Sequence, residues 1–138
     1  MEQFLDPSFW GENGDRMGAL TQIVFAFEDD HIRASQKDAV LAKLSRLINY
    51  HSADEVVAFL FAISKHGSPY SVKVLLSLTH KIIDDNIAWQ YLVAYENIVG
   101  NSILPEFSVA FDMISFYTDE IYFNGDKIKQ ALQRFKEY

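Results

Sequence analysis

The sequence predicts an all-α domain of about seven short antiparallel helices, forming either a HEAT-like stack of helical hairpins or an irregular helical bundle. Helix-start residues recur about every 17 positions, and each precedes apolar residues at helical spacing. No alternating apolar run indicates a pair of strands. Helices of similar length joined by short turns pack antiparallel. The 138 residues are the size of one domain, which we expect to span residues 1–138.

The helix-start residues have side-chain oxygens that can accept hydrogen bonds from the unpaired amides of a first turn: Ser35, Ser52, Ser68, Asp85 and Ser102. The run Ser52-Ala53-Asp54-Glu55 resembles a capping box. Proline at position 69 suits the first position of a helix. These signals predict helices over residues 15–29, 36–50, 53–66, 69–84, 86–99, 105–118 and 127–137.

The apolar faces of these helices separate outer from inner ones. Residues 36–50 and 127–137 each have one apolar stripe, which is typical of helices at a surface. Residues 53–66 and 86–99 are apolar on almost every side. We therefore expect these two helices in the middle of the stack.

Composition limits the classes of partner. The net charge of −7 opposes binding to nucleic acid and to anionic membranes, and it favours a basic protein partner. The absence of cysteine excludes disulfides, zinc sites with cysteine ligands and thiol catalysis. Neither a signal peptide nor an apolar run of membrane-spanning length is apparent, so we expect a cytoplasmic protein that does not bind membranes.

The charged residues are unevenly distributed. No Lys or Arg occurs in residues 82–126, a segment that contains eight Asp and Glu residues. Residues 127–138 then contain Lys127, Lys129, Arg134 and Lys136. Acidic doublets also fall where even-numbered helices end and odd-numbered ones begin, and in an antiparallel stack those junctions share one edge.

We therefore expect a basic protein to contact an acidic, tyrosine-bearing surface. The candidate contact residues are Asp54, Glu55, Asp84, Asp85, Glu96, Asp112, Tyr117, Asp119 and Glu120. The alternative is that acids occupy first helical turns because the helix dipole stabilises them there. That explains each doublet individually, but it does not explain the missing cations.

Glu96 is expected on the apolar side of its helix, beside Leu92 and Val93. A buried carboxylate must be paired, neutralised or directed into a groove, because a lone buried charge is costly. Three interpretations stay open: a hydrogen-bonded structural residue, a groove contact, or a general acid.

The sequence favours neither a metal site nor an enzyme. His80 and Asp84 lie one turn apart, but two lysines are expected on the same solvated stripe, which makes a poor metal site. His66 is expected at a helix end, where the dipole favours a charged imidazole. There is no glycine-rich phosphate loop and no nucleophile motif, so we predict no cofactor.

The chain resembles the small acidic all-helical immunity proteins of the contact-dependent inhibition type, with which bacteria block their own toxins. The resemblance rests on size, acidity, hairpins such as residues 52–84, and the cation-free residues 82–126. It covers the whole chain and includes no defining motif. It implies an inhibitor that binds a basic toxin, such as a nuclease. The alternatives are a helical-repeat scaffold or adaptor that binds peptide segments, and an enzyme centred on Glu96.

Overall fold

The structure, a computed structural model, describes residues 16–29, 31–117 and 125–136. Within these ranges the chain forms seven α-helices and no strand, which confirms the predicted fold class. The helices are α1 (Arg16–Ala26), α2 (Ala34–Leu47), α3 (Ala53–His66), α4 (Val72–Ser77), α5 (Asp85–Ile98), α6 (Ser108–Phe116) and α7 (Gly125–Lys136). Short 3-10 turns occupy Pro69–Ser71, Thr79–Lys81 and Pro105–Phe107.

Two of the predicted caps are correct. The Ser52 hydroxyl accepts a hydrogen bond from the Glu55 N–H at 3.3 Å and begins α3. The Ser68 hydroxyl accepts from the Tyr70 N–H at 3.2 Å and begins the 3-10 turn that precedes α4. Both residues satisfy amides that a first turn leaves without a partner.

The other three predicted caps are wrong, although α2 and α5 begin within two residues of their predicted starts. Asp84 rather than Asp85 caps α5, and its carboxylate accepts from the Ile87 N–H at 2.7 Å. Ser35 lies inside α2, whose first turn is closed instead by the Gln36 side chain accepting from the Arg33 N–H. Ser102 lies before the 3-10 turn that begins at Pro105, where proline has no N–H that needs a cap.

The predicted helix over residues 69–84 is also wrong, because α4 has only the six residues Val72–Ser77. The Ser77 hydroxyl donates to the Val74 carbonyl at 2.6 Å, and the Thr79 hydroxyl donates to the Leu76 carbonyl at 2.8 Å. Such local side-chain bonds compete with the regular helical ladder. A second 3-10 turn therefore follows α4 in place of a continuous helix.

Helices α1, α3 and α5 lie side by side and run in the same direction. Lys65 near the end of α3 forms an ion pair of 2.6 Å with Glu28, just after α1. The Asn97 side chain at the end of α5 donates to the Ser64 carbonyl near the end of α3 at 3.1 Å. The carboxyl ends of all three helices are thus adjacent, and α3 and α5 form the most extensive helix contact.

Helix α7 continues this row beside α5. Arg134, near its end, lies 2.6 Å from Glu96 near the end of α5. Lys127, in its first turn, lies 5.9 Å from the ring centre of Trp89 in the first half of α5. Since both contacts join corresponding ends, α7 is parallel to α5.

Helices α2, α4 and α6 form a second layer against this row. Asp38, near the start of α2, accepts hydrogen bonds from the hydroxyls of Ser68 at 2.5 Å and Ser71 at 2.8 Å. The start of α2 therefore lies beside the end of α3, so the two helices are antiparallel. The result is a bundle of two layers of helices joined by short connections.

The core runs between the layers. Tyr91 and Tyr95 of α5 are fully buried, and each hydroxyl has a partner. Tyr91 donates to the Leu75 carbonyl at 2.8 Å, and Tyr95 donates to the Ser102 carbonyl at 2.6 Å. Burial raises the pKa of both phenols. The expected inner position of α5 is correct for these residues.

Candidate protein-binding surface

The amino-terminal ends of α3, α5 and α7 lie on one side of the molecule, because the four odd-numbered helices are parallel. We call this side the acidic edge, defined by Asp54, Asp84, Asp85 and Asp126. Each carboxylate lies at or within a first helical turn, where the helix dipole stabilises negative charge. The arrangement agrees with the expectation that the acidic junctions share an edge.

Two of these carboxylates differ in what they contact. Asp54 is exposed and has no hydrogen bond or ion pair with a described residue. Asp84 is half-buried and caps α5 through the Ile87 N–H. The Asp84 carboxylate lies at the start of α5 and contributes to the negative potential of the edge. Asp85, beside it in the first turn of α5, is also half-buried.

Glu55 does not belong to the exposed surface on which we expected it. Its side chain is 4% exposed, and its carboxylate accepts from the Asn49 N–H at 3.0 Å. It thus reaches back to the turn before α3, as the glutamate of a capping box does, but to a residue further upstream than the cap. This geometry makes Glu55 a structural residue of the α2–α3 turn.

Glu96 lies at the carboxyl end of α5, away from the acidic edge. It is half-buried and paired with Arg134, so it is not a lone buried charge. Helix α7 therefore covers part of the cation-free segment, residues 82–126. Of the three interpretations, the paired structural residue agrees with this geometry, and Glu96 lines neither of the cavities described below.

Asp112 and Tyr117 lie together on α6 and in the turn that follows it. They line a cavity of about 360 Å³ with Ile82, Met113 and Phe116. Asp112 is exposed, and Tyr117 is half-buried. Because α6 ends beside the start of α5, this cavity lies close to the acidic edge. The other predicted contact residues, Asp119 and Glu120, lie outside the described residues.

The edge also contains cations from the segments that flank residues 82–126. Lys81 lies 5.4 Å from the ring centre of Tyr50, and Lys127 lies 5.9 Å from that of Trp89. Both ammonium groups face aromatic rings, which attract them through the negative charge of the ring face. Residues 82–126 contain no Lys or Arg, but the acidic edge does contain the neighbouring Lys81 and Lys127.

An open groove between α1 and α3 is a feature that the sequence did not reveal. It has a volume of about 700 Å³. Its apolar lining includes Leu20, Val24, Val57 and Ala58. Two exposed aromatic rings, those of Phe25 and Phe61, line it as well. The sequence did contain a signal for this groove, since α3 is apolar on almost every side. An inner position for α3 explained that pattern in the sequence, but one side faces this groove.

The two ends of the groove differ in charge. Met17 and Asp54 lie at the end that opens onto the acidic edge. At the other end, Lys65 holds the Glu28 carboxylate and lowers its pKa through a hydrogen bond. The groove and the acidic edge are therefore continuous through Asp54.

His66 lies behind the Glu28 end of the groove and is not the charged residue expected there. Its ring packs edge-on against Phe27 with 5.2 Å between centres. Its Nε2 atom is buried, lies 3.6 Å from the Glu28 carboxylate, and has no hydrogen bond to any described residue. Burial lowers the pKa of His66, and the nearby Lys37 lowers it further.

Other kinds of site find little support. In the part of the chain that the structure describes, no group of three or more His, Asp or Glu residues is arranged to hold a metal ion. No helix in those ranges is long and apolar enough to span a membrane. Comparisons with protein-family models, curated proteins and solved structures find no match to this chain. The proposals below therefore rest on the geometry of the two surfaces.

Proposed function

We propose that this chain is a protein-binding inhibitor that contacts a basic protein through its acidic edge. The observation that supports this most strongly is the parallel row of odd-numbered helices, which collects Asp54, Asp84 and Asp85 on one side. A concentration of negative charge accelerates association with a positively charged partner and selects against acidic ones.

The partner class we propose is a toxin domain, and a nuclease is the preferred example. A nuclease binds phosphates with cationic side chains, and carboxylates on an inhibitor can occupy the same positions. The net charge of −7 and the resemblance to small acidic immunity proteins support this choice. An inhibitor of this kind needs neither a catalytic residue nor a cofactor.

The test begins with native affinity purification and mass spectrometry, and it continues with the recovered partner as a purified protein. We expect one basic partner whose affinity decreases as salt increases. The variant Asp54→Asn/Asp84→Asn should reduce the association rate about tenfold at low salt. Asparagine can still cap α5, so this variant removes charge without removing the cap.

Asp29→Asn/Glu106→Gln is the matched control, because it removes two negative charges at the opposite edge, where α1 and α5 end. We expect it to change the association rate far less. An acidic partner, an affinity independent of salt, or equal effects of the two double variants would contradict the proposed function.

A second candidate, an adaptor that binds peptide segments, is favoured by the α1/α3 groove. The exposed rings of Phe25 and Phe61 are the kind of surface that receives a partner. An adaptor should bind several weak partners, with affinities that depend on these rings and not on Asp54 or Asp84. The same charge variants therefore separate the two functions.

A further inference from the structure

The α1/α3 groove is lined mostly by apolar side chains and is open to solvent. Phe25 is 79% exposed, Phe61 48% and Met17 41%, whereas Leu20 on the floor is 1% exposed. Apolar side chains placed contiguously at a surface mark a site that another molecule covers. Isolated exposed apolar residues are ordinary, but these three line one cavity.

We infer that this groove receives the apolar face of a helical segment carried by the basic partner, and this inference rests on the proposed function for the charge of that partner. The eleven residues of α1 give the groove a length of about 16 Å, or three helical turns. A helix of this length presents side chains at positions i, i+3 or i+4, and i+7 on one face. The groove offers a matching row of apolar contacts.

The charges at the groove favour a basic segment. Asp54 has no partner among the described residues and lies at the end that meets the acidic edge. A Lys or Arg at the matching end of the bound segment would pair with it. The Glu28 carboxylate at the other end is already bound by Lys65. We therefore place the cation of the segment beside Asp54.

A second copy of this chain is a poorer occupant. Each copy carries a net charge of −7, so two copies repel one another. A basic segment instead gains from the acidic edge while it approaches and from the apolar groove once it is bound. The two surfaces then have separate kinetic roles, since charge governs association and packing governs dissociation.

A random library of 16-residue peptides displayed on phage is the probe. Selection on the wild-type chain, with counter-selection against Phe25→Ser, should enrich peptides that are basic and have apolar residues at helical spacing. The selected peptides, synthesised and measured by calorimetry, should lose about 10-fold to 30-fold in affinity for Phe25→Ser. Thr21→Arg, at an exposed groove position, should weaken them too by placing a cation in the groove.

Tyr70→Ser is the matched control, because Tyr70 is 86% exposed but lies outside the groove in the turn after α3. Its variant should bind the selected peptides like the wild type. All three variants are compared by thermal unfolding, so that a loss of folding is not read as a loss of binding.

The outcomes separate the inference from the proposed function. Basic amphipathic peptides that depend on Phe25 support both. Amphipathic peptides without basic residues would show that the groove binds helices, but they would overturn the inference that the segment is basic. No enrichment, or peptides equally affected by Tyr70→Ser, overturns the inference and leaves the acidic edge to be judged by its own variants. A wild-type dimer that Phe25→Ser converts to a monomer, or peptide binding that appears only when residues 1–15 are deleted, also overturns it.

Discussion

The helix pairs α1/α3 and α5/α7 have the same geometry but opposite surfaces. Both pairs are parallel neighbours in one row, and both have an ion pair of 2.6 Å near their carboxyl ends, Glu28 with Lys65 and Glu96 with Arg134. Beside α5 and α7, however, the aromatic rings turn inward. Beside α1 and α3, the rings of Phe25 and Phe61 turn outward, although Phe27 and Phe59 are buried.

The inward rings form a cluster around Tyr95. Phe107, Phe111 and Phe135 each meet Tyr95 edge-on, with 4.8–5.5 Å between ring centres. Phe135 is 3% exposed, so α7 is held by buried aromatic area. The corresponding area at α1/α3 is not used for folding. An apolar helix face is therefore packed in the core in α5/α7, but part of such a face is exposed to solvent in α1/α3.

The largest expected effect distinguishes the two sets of rings. Phe135→Ala should reduce the free energy of unfolding by about 3–5 kcal/mol, because it leaves a cavity in the aromatic cluster. Phe25→Ala should change it by about 0.5 kcal/mol or less, since that ring lies in solvent. Urea denaturation of both variants measures the difference. Similar losses would mean that the α1/α3 groove is part of the packed core.

A smaller effect distinguishes two neighbouring carboxylates at the start of α3. Glu55→Ala should cost about 1.5–3 kcal/mol, because it leaves the Asn49 N–H without its charged acceptor. Asp54→Ala should cost about 0.3–1 kcal/mol, the contribution of a charge to the helix dipole. Denaturant unfolding of the two variants provides the measurement. If Asp54→Ala proves the more costly, Asp54 has a structural role and is not a free contact residue.

The smallest expected effect is the pH dependence of stability that His66 causes, at the end of the α1/α3 pair where Lys65 binds Glu28. Burial, reinforced by the nearby Lys37 and Lys65, holds the pKa of His66 below its ordinary value of 6.5, while Glu28 opposes the shift. The unfolded chain therefore takes up this proton at a higher pH than the folded chain does. Stability from the neutral ring is complete above about pH 6.5 and is lost as pH falls through the lower pKa of the folded state.

Thermal unfolding between pH 7.5 and 5 should show this loss in the wild type. His66→Phe should show a smaller loss over the same range, because the variant cannot take up the proton. His31→Phe, at an exposed turn, is the control and should follow the wild type. Identical profiles for all three proteins would contradict the assignment to His66.

Much of the fold could be predicted from sequence because local signals decide it. The stripe containing Val40, Leu41 and Leu44 is buried as expected, and so is the stripe of Ile128, Leu132 and Phe135. The Ser52 cap was predicted because its spacing to Glu55 is a local property. Residues 69–84 were predicted as one helix but form α4 and two 3-10 turns, and the apolar spacing of the sequence does not distinguish these two kinds of helical turn.

The candidate site was harder to predict, because exposure depends on distant segments. Glu55 and Asp54 are adjacent in an acidic doublet, yet one is buried and the other exposed. Arg134 reaches Glu96 from 38 positions away. A helix that is apolar on almost every side, such as α3, is predicted to be an inner helix whether all of its apolar faces are covered or one of them is exposed.

The sequence by itself determined the helical class, most of the helix positions, and the negative charge of the molecule, because periodicity, caps and composition act locally or as sums. The tertiary structure alone decided that the odd-numbered helices are parallel, that Arg134 of α7 pairs with Glu96, and that α1 and α3 leave a groove between them. Those properties arise from contacts between segments far apart in the chain. Burial and free surface are set by what lies opposite a side chain, and no residue carries that information alone.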